Sequence, residues 1–245
     1  MRADAKSGSM NETMILTSLN DHKFFELSDN WKRHIKRMFK DIKDNDKIIC
    51  HYYEYKDAKP DLTIKVKNRT IMLSVKSGHN PSVHLEPIYS FYDFLRNNGV
   101  PETIIRKIAF YHTGHSIKLD KYYTREEIVE KYPNLTQDVN NYFACHSEII
   151  REMVYRTIFR GRLKRNLIDY FYYGNSTKGY LLSVVDILKL IEADNNMYYK
   201  SICFKSLVYR PASRDKDNPR CRSVMIHWPI LCKWFYNDEF MKRYG

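Results

Sequence analysis

Long apolar runs, paired cysteines, repeats and low-complexity tracts are all missing from this 245-residue chain. No segment approaches the roughly eighteen apolar residues of a membrane-spanning helix, and no charged-then-apolar secretory leader opens the sequence. Cys50, Cys145, Cys203, Cys221 and Cys232 are odd in number, scattered and without a CxxC pair, which excludes a disulfide framework and a zinc ribbon. The expectation is a soluble protein of the reducing cytoplasm with no membrane partner. Met1 to Ser9, with Ser7-Gly8-Ser9 before a second methionine, has the look of a floppy leader, and residues 1–19 are set apart from the fold on that reading.

What is present is a basic, moderately aromatic chain. Hydrophobic residues make up 43% and aromatics 14%, enough for one large domain or a core with a smaller companion. Lys and Arg number 41 against 29 Asp and Glu, a formal charge of +12, with a pI near 9.3. Such an excess favours a polyanionic partner and salt-dependent binding, because neutralising phosphates releases counterions.

The most informative stretch is Lys59-Pro60-Asp61-Leu62-Thr63-Ile64, followed by Thr70-Ile71-Met72-Leu73-Ser74-Val75-Lys76-Ser77-Gly78. Side chains alternate between the faces of a strand, so Leu62, Ile64 and Val66 share an apolar face, as do Ile71, Leu73 and Val75. Ser74 and Lys76 then lie on the reverse side of the second strand, as Asp61 does on the first. Lys67-Asn68-Arg69 is short and polar, as a hairpin loop should be, and pairing across it brings Asp61 towards Ser74 and Lys76. A carboxylate there can hold a divalent cation through oxygen. A neighbouring ammonium can position a water and offset charge on a phosphate under attack.

Pro60-Asp61 followed by Ser74-Val75-Lys76 resembles the signature of the restriction-endonuclease-like PD-(D/E)xK nuclease superfamily, over roughly Ile48 to Tyr111. The resemblance implies strand-borne Asp61 and Lys76 as catalytic residues, Asp61 as a metal ligand, and Mg²⁺ as cofactor with Mn²⁺ able to substitute. Ser74 stands where the family has its second acid, and one carboxylate alone holds Mg²⁺ weakly. Members of the superfamily can supply the missing acid from the helix after the lysine strand. Ser82 to Glu86 is read here as opening such a helix, which makes Glu86 the first substitute, with His84 beside it. Glu54, at the end of the preceding strand beginning at Ile48, is a competing ligand. Glu26, on a helix read from Asn20 to Lys43, is a third, and Ser74 itself is an auxiliary candidate.

The fold class expected is α/β (α+β): a restriction-endonuclease-like mixed sheet flanked by helices over residues 20–120, with a helical and β-hairpin extension over 121–245. Lys107 to Tyr111 reads as a further strand of that core. Thr124-Arg125-Glu126-Glu127 reads as a capping box, and Gln137 to Arg165 as a long helix ending in a basic cluster. Arg160, Arg162, Lys164 and Arg165 are candidates for gripping backbone phosphates, and Tyr170 to Tyr173 could stack on bases or simply edge the core. The long polar loop holding Arg210, Arg214, Arg220 and Arg222 is a second nucleic-acid candidate, since loops of that length carry function or are mobile.

These readings point to a metal-dependent DNA endonuclease, of the restriction or phage-defence kind, acting as a homodimer because symmetric duplex cleavage needs two sites. Two alternatives stay open: a cleavage-inactive nucleic-acid-binding protein on a nuclease scaffold, and an RNA-directed nuclease.

Overall fold

The computed structural model describes residues 3–245, apart from 56–57, 80, 117–119, 162–166, 195–199, 214 and 216, and the side chains from residue 9 onward. The chain divides into two compact units, and it visits each more than once. Unit 1 comprises Met1–Pro81, Ile158–Lys189 and Ile230–Gly245; unit 2 comprises Ser82–Thr157 and Leu190–Pro229. This division does not follow the expected boundary at residue 120, because strands from the carboxyl half complete the sheet of unit 1.

Unit 1 begins with α1 (Ala3–Leu19) and α2 (Asp29–Met38), then β1 (Ile48–Tyr52), β2 (Leu62–Val66) and β3 (Arg69–Lys76). The expected flexible leader is therefore a helix. Ile15 and Leu19, one turn apart, are fully buried among the core residues of this unit, and that burial holds α1 down. The single helix expected over 20–43 is shorter: Ser28 caps α2 by accepting from the Trp31 N–H, as serine does at helix starts. Trp31, His34, Ile35 and Met38 face inward, while Arg33, Lys36 and Lys40 remain exposed. Arg37 is not part of a free basic face, since it is paired with Asp186 at 2.7 Å.

The expected hairpin is present. β2 and β3 pair antiparallel with Leu62 opposite Leu73 and Ile64 opposite Ile71, and Lys67 takes the positive φ of +52° that the tight connection demands. Leu62, Ile64, Ile71, Leu73 and Val75 are all buried. β7 (Tyr170–Gly174) joins β3 in parallel, and β8 (Gly179–Ser183) pairs antiparallel with β7, giving the order β1-β2-β3-β7-β8. The tyrosines of β7 are core residues: Tyr172 stacks on Trp31 at 4.9 Å, and neither it nor Tyr173 is available to bases. α8 (Val184–Ala193) follows β8, and α9 (Ile230–Phe235) and α10 (Asp238–Tyr244) end the chain.

Unit 2 contains β4 (Ser82–Pro87), α3 (Ile88–Asn97), α4 (Glu102–Thr113), the short β5 (His115–Ser116) and β6 (Lys121–Tyr122), then α5 (Arg125–Lys131), α6 (Pro133–Ala144) and α7 (Ser147–Val154). Later come β9 (Cys203–Phe204), β10 (Leu207–Pro211) and β11 (Ser223–His227), and the sheet order is β4-β11-β10-β9. Two expectations fail here. Ser82–Glu86 is a strand, because it pairs along β11 with Glu86 opposite Val224. Lys107–Tyr111 lies inside helix α4, whose inward residues Ile105, Ile108, Tyr111 and His112 recur at helical spacing. The Thr124–Glu127 capping box does open α5. The long helix expected over 137–165 is broken into α6, α7 and a π-helical turn at Tyr155–Arg160. Phe91, Phe143, Phe204 and Tyr209 meet ring to ring in the core of this unit.

Candidate active site

Asp61 sits just before β2, its backbone N–H donating to the Leu73 carbonyl at 2.9 Å, so the chain is already in register with β3. Its side chain reaches across the strand. Oδ2 accepts from Ser74 Oγ at 3.0 Å, from the Val75 N–H at 2.6 Å and from Lys76 Nζ at 3.1 Å. Lys76 Nζ also donates to its neighbour's carbonyl, that of Val75, at 2.8 Å. All three donors to the carboxylate converge on one oxygen, and Oδ1 has no donor among the described residues. The Asp61–Lys76 pair is about three-quarters buried, at 22% and 24% exposure, which leaves it reachable from solvent. Ser74 is 2% exposed, and its hydroxyl is committed to positioning Asp61.

A second acid comes from a residue that the sequence reading had set aside. Glu12, on α1, is held above the usual carboxylate range, first by burial and then by the like charge of Asp61, with Lys76 partly offsetting both. Asn11 ties the same turn of α1 to the Gly174 carbonyl at 2.8 Å, and Thr13 Oγ1 meets Tyr52 Oη at 2.6 Å. Glu12, Ile15 and Leu19 stand at i, i+3 and i+7, the spacing of one helix face. That periodicity was the available signal; the Ser-Gly-Ser stretch before it masked the helix.

The acids chosen from the sequence are elsewhere engaged. Glu86 belongs to β4 of unit 2 and is 2% exposed. Arg156 Nε donates to its Oε1 at 2.9 Å and Arg156 Nη2 to its Oε2 at 2.5 Å, while His84 Nε2 donates to Oε1 at 3.0 Å. Burial alone would raise its pKa, but these hydrogen bonds and the adjacent charges outweigh it and hold the carboxyl down to about 2. Glu86 and His84 thus form a structural ion cluster with Arg156, and both oxygens of Glu86 are taken. Glu54 is exposed in the bend beyond β1. Glu26 closes a 3₁₀ turn, Phe24–Glu26, by accepting from the Lys23 N–H at 2.6 Å.

The basic candidates divide between the units. Arg160 ends the π-helical turn and is half-buried; Arg210 lies half-buried on β10; Arg220 and Arg222 are exposed on the short helix Pro219–Arg222. Arg162, Lys164, Arg165 and Arg214 lie outside the described residues.

Among the described residues, no three His, Cys, Asp or Glu side chains form a ready metal cage. Asp61 and Glu12 are instead two carboxylates, which suits Mg²⁺, a cation usually held by one or two carboxylates with waters and substrate phosphates completing its shell.

No family model matches this chain, and no curated protein matches it. Among solved structures it is similar to the restriction endonuclease MspI in complex with its cognate DNA, with 14% identity and a TM-score of 0.56, over 91% of this chain and 89% of that one. The fold is restriction-endonuclease-like. Within a restriction-endonuclease-like fold, the hairpin β2–β3 and the helix α1 are the elements that bring Asp61, Lys76 and Glu12 of this chain together. No helix among the described residues is long and apolar enough to cross a membrane.

Proposed function

We propose that the chain is a Mg²⁺-dependent DNA endonuclease, of the restriction or phage-defence kind, with Mn²⁺ able to replace Mg²⁺. The observation that carries this reading is the meeting of Asp61 and Lys76 on adjoining extended segments, with a half-exposed carboxylate oxygen left unengaged. The likeness to MspI, solved with its cognate DNA, supports DNA as the substrate, and so does the formal charge of +12.

Asp61 and Glu12 would hold the cation, which when bound supplies Lewis-acid polarisation of a phosphoryl oxygen. Lys76 keeps its ammonium beside the carboxylate, where it can donate to the attacking water and offset the charge that grows on the phosphate. Ser74 and the Val75 N–H fix the Asp61 rotamer, so that its second oxygen faces the cation. The water oxygen forms the new bond to phosphorus, one ester bond breaks, and the water's proton leaves to solvent. Opposed cuts in a duplex require two such sites, so the working assembly is a homodimer. The five cysteines, all free thiols, suit a reducing cytoplasm.

A second reading is a binding protein on a nuclease scaffold. The donor-rich environment of Asp61, with Ser74 in place of an acid, favours it, because the carboxylate is already neutralised by Lys76. Supercoiled plasmid incubated with Mg²⁺ or Mn²⁺ separates the two. Metal-dependent nicking that disappears in both Asp61→Ala and Lys76→Ala supports the enzyme; tight DNA binding without nicking on any substrate, RNA included, supports the scaffold.

A further inference from the structure

Unit 2 holds a cleft of about 1600 Å³ that the cleavage chemistry does not use. Tyr89 from α3, Tyr122 from β6 and Tyr132 between α5 and α6 open onto it, and they are 72%, 50% and 36% exposed. Solvent-facing rings gathered on one concavity mark a binding surface more often than decoration. These rings are held in place: Tyr132 stands edge-on to Phe110 at 5.2 Å and to Tyr123 at 5.9 Å, while Tyr122 stacks on His115 at 4.4 Å. Beneath them His112 is fixed at both ring nitrogens, 2.6 Å from Tyr209 Oη and 2.8 Å from the Cys221 carbonyl.

The charge on the rim has one sign. Arg106, Lys131 and Arg222 are exposed on it, and neither Lys131 nor Arg222 has a carboxylate partner among the described residues. The acid in the lining, Asp138, is paired with Lys107 at 2.5 Å. Flat π-faces with unneutralised cations beside them fit a ligand that is aromatic and anionic in alternation, which is the chemistry of a nucleotide strand with its bases exposed. A duplex hides those base faces. The volume exceeds the roughly 300–1,000 Å³ of small-molecule pockets, which favours several linked nucleotides over a single free one.

We propose that this cleft binds a short unpaired stretch of nucleic acid, with bases stacked on Tyr89, Tyr122 and Tyr132 and phosphates at Lys131 and Arg222. The proposal rests on the nucleic-acid reading of the chain but not on cleavage. The test uses the full chain carrying Asp61→Ala, in metal-free buffer, with a single-stranded oligonucleotide containing 2-aminopurine. Binding should quench the 2-aminopurine, and Tyr89→Ala with Tyr122→Ala should weaken single-strand affinity by about tenfold or more while changing duplex affinity by less than about twofold. Both rings are exposed, and circular dichroism checks that the double variant is folded. Lys131→Gln with Arg222→Gln should reduce the slope of log affinity against log salt by about one. Three results would overturn the proposal: no single-strand binding, unchanged affinity in the double tyrosine variant, or equally effective displacement by free mononucleotide. Failure of the nuclease reading would appear differently, as absent plasmid nicking with the quench intact.

Discussion

Asp61 in unit 1 and Glu86 in unit 2 are both acids beside cations, yet their surroundings give them opposite roles. Glu86 is saturated: Arg156 bonds both of its oxygens and His84 one, at 2% exposure. Asp61 gathers its donors on one oxygen and stays about a fifth exposed. A buried, fully bonded carboxylate cannot exchange partners without leaving Arg156 uncompensated, whereas Asp61 can take a cation and keep its strand contacts. What separates a structural acid from a candidate ligand is therefore an unengaged oxygen with access.

That contrast breaks most visibly on removing Glu86. Glu86→Ala strands a buried guanidinium, and a loss of about 3–5 kcal/mol is expected, read as a lowered midpoint in urea unfolding. Asp61→Ala should shift the same midpoint by less than about 1 kcal/mol, because its lysine partner can turn to water. A similar small loss for Glu86→Ala would remove the distinction.

A pH series sharpens the picture within unit 1. Burial, with some help from Arg33 and Arg37, depresses the His34 pKa from 6.5 to about 4. The folded state therefore resists a proton that the unfolded chain accepts between those values. The associated stability is complete above about pH 6.5 and is lost as pH falls towards 4, on the order of 3 kcal/mol in all. Urea midpoints measured from pH 7.5 to 4.5 should show this slope, and His34→Gln should flatten it. Glu86 acts in a lower window, its contribution fading only as pH drops from about 4.5 towards 2.

Asp61→Ala and Lys76→Ala should each slow plasmid nicking by at least about a hundredfold, with folding preserved by circular dichroism. The smallest effect expected is that of Ser74→Ala, about tenfold or less, because the Val75 N–H still orients Asp61. A loss as large as that of Asp61→Ala would mean that the Ser74 hydroxyl touches the cation or substrate directly.

The sequence spoke clearly where local pattern and tertiary pairing agree. Alternation in Leu62–Val66 and Ile71–Val75 across a polar turn gave the hairpin, and with it the meeting of Asp61, Ser74 and Lys76. It misled where they conflict. β4 inverts the usual alternation, burying His84 and Glu86 while leaving Leu85 half exposed, so its polar face looked like a helix start. The partner that makes this burial affordable, Arg156, lies 70 residues away in sequence and leaves no local trace. Helix α1 was hidden for a different reason: Ser7-Gly8-Ser9 favours a loop by propensity alone, and tertiary burial of Ile15 and Leu19 overrides it. Discounting that helix also discounted Glu12, and turned the search for a second acid towards Glu86, Glu54 and Glu26.

The most direct measurement is a Mn²⁺ titration of the full chain followed by electron paramagnetic resonance, with duplex DNA present, in the wild type and in Asp61→Asn, Glu12→Gln and Glu54→Gln. The account predicts a bound Mn²⁺ whose affinity falls about tenfold or more in the Asp61 and Glu12 variants and stays unchanged in the Glu54 variant. Undiminished Mn²⁺ affinity in Asp61→Asn would contradict it.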